Sequence, residues 1–327
     1  MGKMIDGQWR TETWIRDNEG HFEREPTTFR DRVEDDPEAK FPVESGRYHL
    51  YVSYACPWAH RTLIVRSLMG LQEAITVSVV HPYMLEDGWS FDTDFDGATG
   101  DDVMGKDFMR QIYADADPEY TGRVTVPVLW DKGRETIVNN ESREIIRMFS
   151  TTFRRLATED IDLWPTGVRD RVDQVIDAIY QPVNNGVYRS GFATTQQAYE
   201  ESVTELFQAL EHWNDHLGEH RYLCGDLLTE ADVCMFTTLL RFDPVYYGHF
   251  KCNLRHVYEF ENLWNYTLEL YQMDAITGTC HLDHIKAHYY YSHESINPTR
   301  VVPRGPILDR LADHDRHRLP GKIARRN

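Results

Sequence analysis

The chain has 327 residues, room for one large domain or two ordinary ones, and 41% of them are apolar, which is enough for a core. Its formal net charge of −18 excludes nucleic-acid binding through clustered Lys and Arg, and no run of about 18 apolar residues marks a transmembrane helix. The N-terminus lacks the apolar segment of a signal peptide. The five cysteines, Cys56, Cys224, Cys234, Cys252 and Cys280, are scattered and odd in number, with no CxxC pair. That fits a reducing cytoplasm better than a disulfide framework. Only seven of the 35 basic residues are lysine, and an acidic, lysine-poor surface fits a protein that stays solvated in concentrated salt.

Residues 1–46 are polar, with aromatic residues at Trp9, Trp14, Phe22, Phe29 and Phe41, and read as an irregular arm docked on the body. From Arg47 the pattern alternates. Residues 47–53 read as a strand, 57–69 as a helix and the β-branched run 75–80 as a buried strand. A Gly- and Asp-rich stretch over 82–103 leads to a short helix at 105–115. Strands at 124–130 and 136–138 and a helix from Glu141 to Phe149 follow. This β-α-β-α-β-β-α order predicts a thioredoxin-like α/β domain over 47–155. Pro127 lies inside its third strand, where a cis Val126–Pro127 bond would turn the Val126 backbone toward a ligand. Residues 160–296 read as an all-α domain, with apolar residues at helical spacing in 168–179 and 203–217. Thr229 and Asp232 form a capping box for a helix through 230–241, and further helices fall at 260–272 and 281–291. The proline-containing residues 297–327 read as an irregular tail.

The segment Tyr54-Ala55-Cys56-Pro57-Trp58-Ala59-His60-Arg61 joins a strand to a helix. Proline suits the first helical position, which puts Cys56 at the N-cap beside free N–H groups and the positive end of the helix dipole. A thiol there loses its proton readily, and the thiolate is the nucleophile. A buried cysteine can also be a small apolar filler, which is how the other four cysteines read. Residue 59 is alanine, so Cys56 has no resolving partner in its own motif and forms its mixed disulfide with an external thiol. The helix opened by Glu141 and Ser142 suits a carboxylate, and the same residues serve simple helix capping. His281, His284 and His288 share a helix face, a spacing open to zinc but without a fourth ligand. Gly97-Ala98-Thr99-Gly100 lacks the lysine of a nucleotide-binding P-loop.

A thioredoxin-like half followed by a helical half is the glutathione transferase fold. The chain resembles one family within it, the glutathionyl-hydroquinone reductases or Xi-class transferases. The motifs that carry the resemblance begin with 54–61, Glu86-Asp87-Gly88-Trp89 and the run from Gly122 to Asp131. They continue with Asn140-Glu141-Ser142, the run from Asn184 to Tyr188, that from Arg241 to Tyr246, and His288-Tyr289-Tyr290. The resemblance implies that Cys56 is the nucleophile and that Trp89, Arg123, Val126, Glu141 and Ser142 hold glutathione. It implies that Tyr188 and Tyr289 line a quinone pocket, with Tyr290 the alternative to Tyr289. It implies glutathione, or γ-glutamylcysteine, as co-substrate, with no tightly bound cofactor and no metal, in a homodimer. Two other functions share the fold: an omega-like thioltransferase or dehydroascorbate reductase, and a non-enzymatic binding protein.

Overall fold

The run Tyr48-His49-Leu50-Tyr51-Val52 is buried at every position, as a central strand requires. The computed structural model describes residues 2–11 and 19–325; Trp14 lies outside the described residues. The chain divides into two units, and the first contains Arg24–Asp160 together with the N-terminal residues and His281–His293.

The first unit opens with β1 (Gly2–Ile5) and β2 (Gln8–Thr11), an antiparallel hairpin. An irregular arm was expected there. Asp6 and Gly7 both have positive φ, 48° and 72°, which is the tight turn that brings two strands together. Then come β3 (Tyr48–Val52), α1 (Pro57–Leu68), β4 (Ile75–Val79), α2 (Met109–Ala116), β5 (Val128–Asp131), β6 (Thr136–Asn139) and α3 (Ser142–Ser150). The sheet order is β4-β3-β5-β6, with β3 and β4 parallel and the other pairs antiparallel. The strand expected from residue 124 begins only at Val128, because Pro127 carries no N–H for the ladder.

The second unit contains Ile161–Cys280 and the described residues 19–23 and 294–325. Its helices are α4 (Arg169–Ile179), α5 (Gly186–Gly191), α6 (Gln196–Glu219), α7 (Glu230–Arg241), α8 (Glu261–Tyr271) and α9 (Asp274–Thr277). All twelve residues of α7 are buried, so it is the axis of this unit. Thr229 and Asp232 cap it reciprocally, and the Asp232 carboxylate also accepts from Leu223 N at 2.9 Å and the Tyr266 hydroxyl at 2.9 Å. Among the described residues the tail is irregular apart from the short pairing of β7 (Leu227–Leu228) with β8 (Lys322–Ile323), an isolated bridge between Ile161 and Arg325, and a single 3-10 turn.

The last helix, α10 (Leu282–Ser292), belongs to the first unit. The sequence placed all of 160–296 in one helical domain, and this segment departs from it. The reason is local chemistry. His281 stacks on Tyr54 with ring centroids 3.6 Å apart, and Tyr291 stacks on Tyr83 at 3.8 Å. His284 Nε2 meets the Asp96 carbonyl at 2.6 Å and His288 Nδ1 meets that of Pro82 at 2.9 Å. The three histidines read as one helix face therefore point to separate partners.

His49, in the central strand, carries a pH signature. Its Nδ1 lies 2.6 Å from Thr76 Oγ1, it is 2% exposed, and burial pushes its pKa from 6.5 down to about 4. The unfolded chain then takes up the proton first as pH falls. The stability of neutral His49 is complete above about pH 6.5 and is lost progressively down to about pH 4. Urea unfolding of the wild type at pH 7 and pH 5 is expected to show a loss from this residue of about 2 kcal/mol. The His49→Gln variant should lack that component, and an equal pH slope in both proteins would contradict it.

Candidate functional site

Cys56 is the N-cap of α1, with Pro57 at the first helical position. Its backbone is extended (φ −74°, ψ 122°), its carbonyl accepts His60 N at 2.9 Å, and its side chain makes no capping hydrogen bond. The thiol sits at the positive end of the helix dipole, which favours the thiolate. Cys56 Sγ lies 3.5 Å from the Val126 carbonyl, and the Val126–Pro127 peptide is cis. Strand β3 thus delivers the thiol, and the segment before β5 brings a backbone edge beside it.

The other wall is the start of α3. Glu141 is its N-cap, with Oε1 accepting from Arg143 N at 3.3 Å. Ser142 is buried, and Arg61 NH1 lies 3.5 Å from its hydroxyl. Arg61 also places its guanidinium over the Trp58 ring at 4.3 Å. A buried guanidinium behind a serine hydroxyl at a helix N-terminus is well suited to an α-carboxylate. Arg61 was not singled out from sequence, since its place in the α1 pattern gave no sign that it would meet α3.

Tyr113 ties the two walls together. Its hydroxyl donates to the Thr125 carbonyl at 3.0 Å, and accepts from Asn140 Nδ2 at 3.0 Å and Thr125 N at 3.3 Å. The segment leading to Val126 and the residue before Glu141 are thereby held by one buried phenol.

The N-terminal arm completes the surroundings. Phe29 and Asn140 exchange bonds, Asn140 N to Phe29 O at 3.0 Å and Phe29 N to Asn140 Oδ1 at 3.2 Å. Arg30 forks onto Glu144 at 2.8 and 2.6 Å. Thr27 Oγ1 donates to Glu141 Oε2 at 3.2 Å, and Glu25 Oε2 lies 3.7 Å from Arg123 Nε. The Arg24 guanidinium lies over Trp58 at 4.9 Å. Phe29 reads from sequence as an aromatic of a docked arm, but Arg24, Glu25, Thr27 and Arg30 escaped the sequence reading, because nothing in an irregular polar stretch marks its partners.

Comparison with known proteins bears on these features. Family models described as the glutathione S-transferase N-terminal and C-terminal domains match residues 55–152 and 196–267. Glutathionyl-hydroquinone reductase YqjG of Escherichia coli (strain K12) is 49% identical over 97% of this chain and 98% of its own length. The chain belongs to the glutathionyl-hydroquinone reductases, the Xi class of glutathione transferases. A solved Xi-class transferase from Natrialba magadii superposes with a TM-score of 0.94 at 56% identity, covering 98% of both chains. The glutathione-bound structure of YqjG superposes with a TM-score of 0.89 at 47% identity, covering 97% of this chain and 99% of the other.

The remaining residues implied by the family's motifs lie as follows. Trp89 is buried, its ring stacked on His288 with centroids 4.7 Å apart. Tyr289, also in the first unit, is 1% exposed and packs edge-on against His288 and His293. Tyr290 beside it is less buried. Tyr188 belongs to the second unit, where it packs among Phe22, Phe192, Tyr246 and Phe250. No helix among the described residues is long and apolar enough to cross a membrane.

Proposed function

We propose that this protein reduces glutathionyl-hydroquinones to hydroquinones with glutathione, acting as a cytoplasmic homodimer. The observation that carries the reading is a single cysteine at the N-cap of α1, facing the Val126 carbonyl, with alanine where a resolving cysteine would stand. The activity in the name of the Escherichia coli relative, a glutathionyl-hydroquinone reductase 49% identical to this chain, supports it. On this reading Glu141, Ser142 and the buried Arg61 hold the γ-glutamyl end of the conjugate. The Val126 backbone holds the cysteinyl part, and Arg123 with Trp89 holds the glycyl end. The Cys56 thiolate attacks the glutathione sulfur. The carbon–sulfur bond breaks, its electron pair stays with the ring carbon, and that carbon takes a proton. Tyr188 and Tyr289, or Tyr290 in place of the latter, stand as the phenols that assist this proton transfer. A second glutathione thiolate then attacks the mixed disulfide, releasing glutathione disulfide and the Cys56 thiolate. No tightly bound cofactor takes part. γ-Glutamylcysteine, which has the same γ-glutamyl end, is the alternative thiol.

Two half-reactions through a covalent enzyme form require ping-pong kinetics. Initial rates against glutathionyl-menadiol at several glutathione concentrations should give parallel double-reciprocal lines. Intersecting lines would overturn the scheme, and faster turnover of small disulfides would favour an omega-like thioltransferase. The same assay at about 1 M salt, where the Debye length is about 3 Å, should retain activity if the acidic composition reflects a saline cytoplasm.

A further inference from the structure

Glu25 has no part in the scheme above, yet the fold presents its carboxylate to Arg123. The arm that carries it is fastened two to five residues downstream by Thr27 to Glu141, by Phe29 to Asn140 and by the Arg30–Glu144 fork. Those fastenings keep Glu25 beside the guanidinium. The gap of 3.7 Å from Oε2 to Nε is within ion-pair range and beyond ordinary hydrogen-bond reach. The contact is therefore mainly one of charge, and the guanidinium also reaches the Gly2 carbonyl, 3.5 Å from NH1. Arg123 is only 14% exposed and Glu25 29%, so the pair is shielded from full solvent screening.

We propose that Glu25 is a specificity-determining residue that competes for Arg123 with the glycyl carboxylate of the glutathionyl group. The inference rests on Arg123 holding that carboxylate. A second carboxylate arriving at the same guanidinium meets one already there and must displace or tolerate it. The attraction of Arg123 is thereby divided, and the site discriminates weakly between glutathionyl groups that carry the terminal charge and those that lack it. A plain arginine at this place would favour the charged form more strongly.

The test compares glutathionyl-menadiol with the same conjugate made from glutathione ethyl ester, whose glycyl carboxylate is blocked. Glutathione is saturating throughout, and the measured quantity is the ratio of kcat/KM for acid over ester. In Glu25→Gln the ratio should rise about fivefold, through a lower KM for the acid with kcat unchanged. Glu25→Asp should return it toward the wild-type value. In Arg123→Gln the ratio should fall toward unity. An unchanged ratio in Glu25→Gln alongside a collapsed ratio in Arg123→Gln would overturn the role of Glu25 alone. An unchanged ratio in Arg123→Gln would overturn the placement of the glycyl carboxylate and the competition with it. Equal losses on both substrates in Glu25→Gln would show a merely structural residue and overturn the proposal.

Discussion

Replacing Cys56 with serine is expected to lower kcat/KM for glutathionyl-hydroquinones by at least about 10³-fold while leaving the fold intact. The change swaps one atom at an N-cap where the side chain makes no capping hydrogen bond, so α1 loses nothing. Serine is itself a good N-cap. What disappears is the thiolate, since a hydroxyl stays protonated where a thiol at a helix N-terminus ionises. No other thiol can substitute. Burial pushes Cys224 and Cys280 each up to about 12 and raises Cys252 further, and Cys234 is completely buried. Intact mass spectrometry after incubation with glutathione disulfide supplies an independent readout. The wild type should gain one glutathione and Cys56→Ser none. Residual turnover within tenfold of wild type, or an adduct on the variant, would remove Cys56 from the centre of the mechanism.

The largest effect on stability is expected in the second unit, at Arg316. This tail residue is completely buried. Its guanidinium donates to the carbonyls of Leu217 at 2.7 Å, His220 at 2.6 Å and Arg221 at 2.8 Å. These carbonyls lie at and just beyond the C-terminal end of α6, a 24-residue helix whose last carbonyls have no intrahelical donors. A cation there also meets the negative end of the helix dipole. Truncation in Arg316→Ala removes three charge-assisted bonds and opens a cavity, with a cost of about 3–5 kcal/mol in urea unfolding. Arg316→Lys should recover only part of it, because one ammonium cannot reproduce the planar fork. A loss below about 1 kcal/mol in the alanine variant would show that water replaces the guanidinium at the helix end.

The fold of residues 48–150 was legible because each element carries a local cause. β3 and β4 are runs rich in apolar and β-branched residues, and α1 begins at a Cys-Pro junction; in the second unit, Thr229 with Asp232 announces α7 in the same way. The hairpin at residues 2–11 was overlooked although Asp6-Gly7 is a turn signal; its strands are only four residues each and show no clean alternation. The placement of α10 could not be read from periodicity. It depends on which surface receives the rings of His281 and Tyr291, a matter of tertiary partners. The site divides in the same way. Cys56, Glu141 and Ser142 announce themselves by position on a helix start. Arg61, Thr27 and Glu25 come to it only through pairings with residues between 81 and 114 positions away.

The placement of α10 also bears on how the chain reaches this fold. The first unit is discontinuous: its sheet and first three helices are complete by Asp160, but one of its helices comes from residues 281–293. During synthesis, Tyr54, Tyr83 and Trp89 emerge long before the rings that cover them, with residues Ile161–Cys280 of the second unit translated in between. A nascent chain therefore carries an unfinished aromatic surface beside its future nucleophile until residues 281–293 have been made. Premature termination between Asp160 and α10 leaves that surface bare and prone to aggregation.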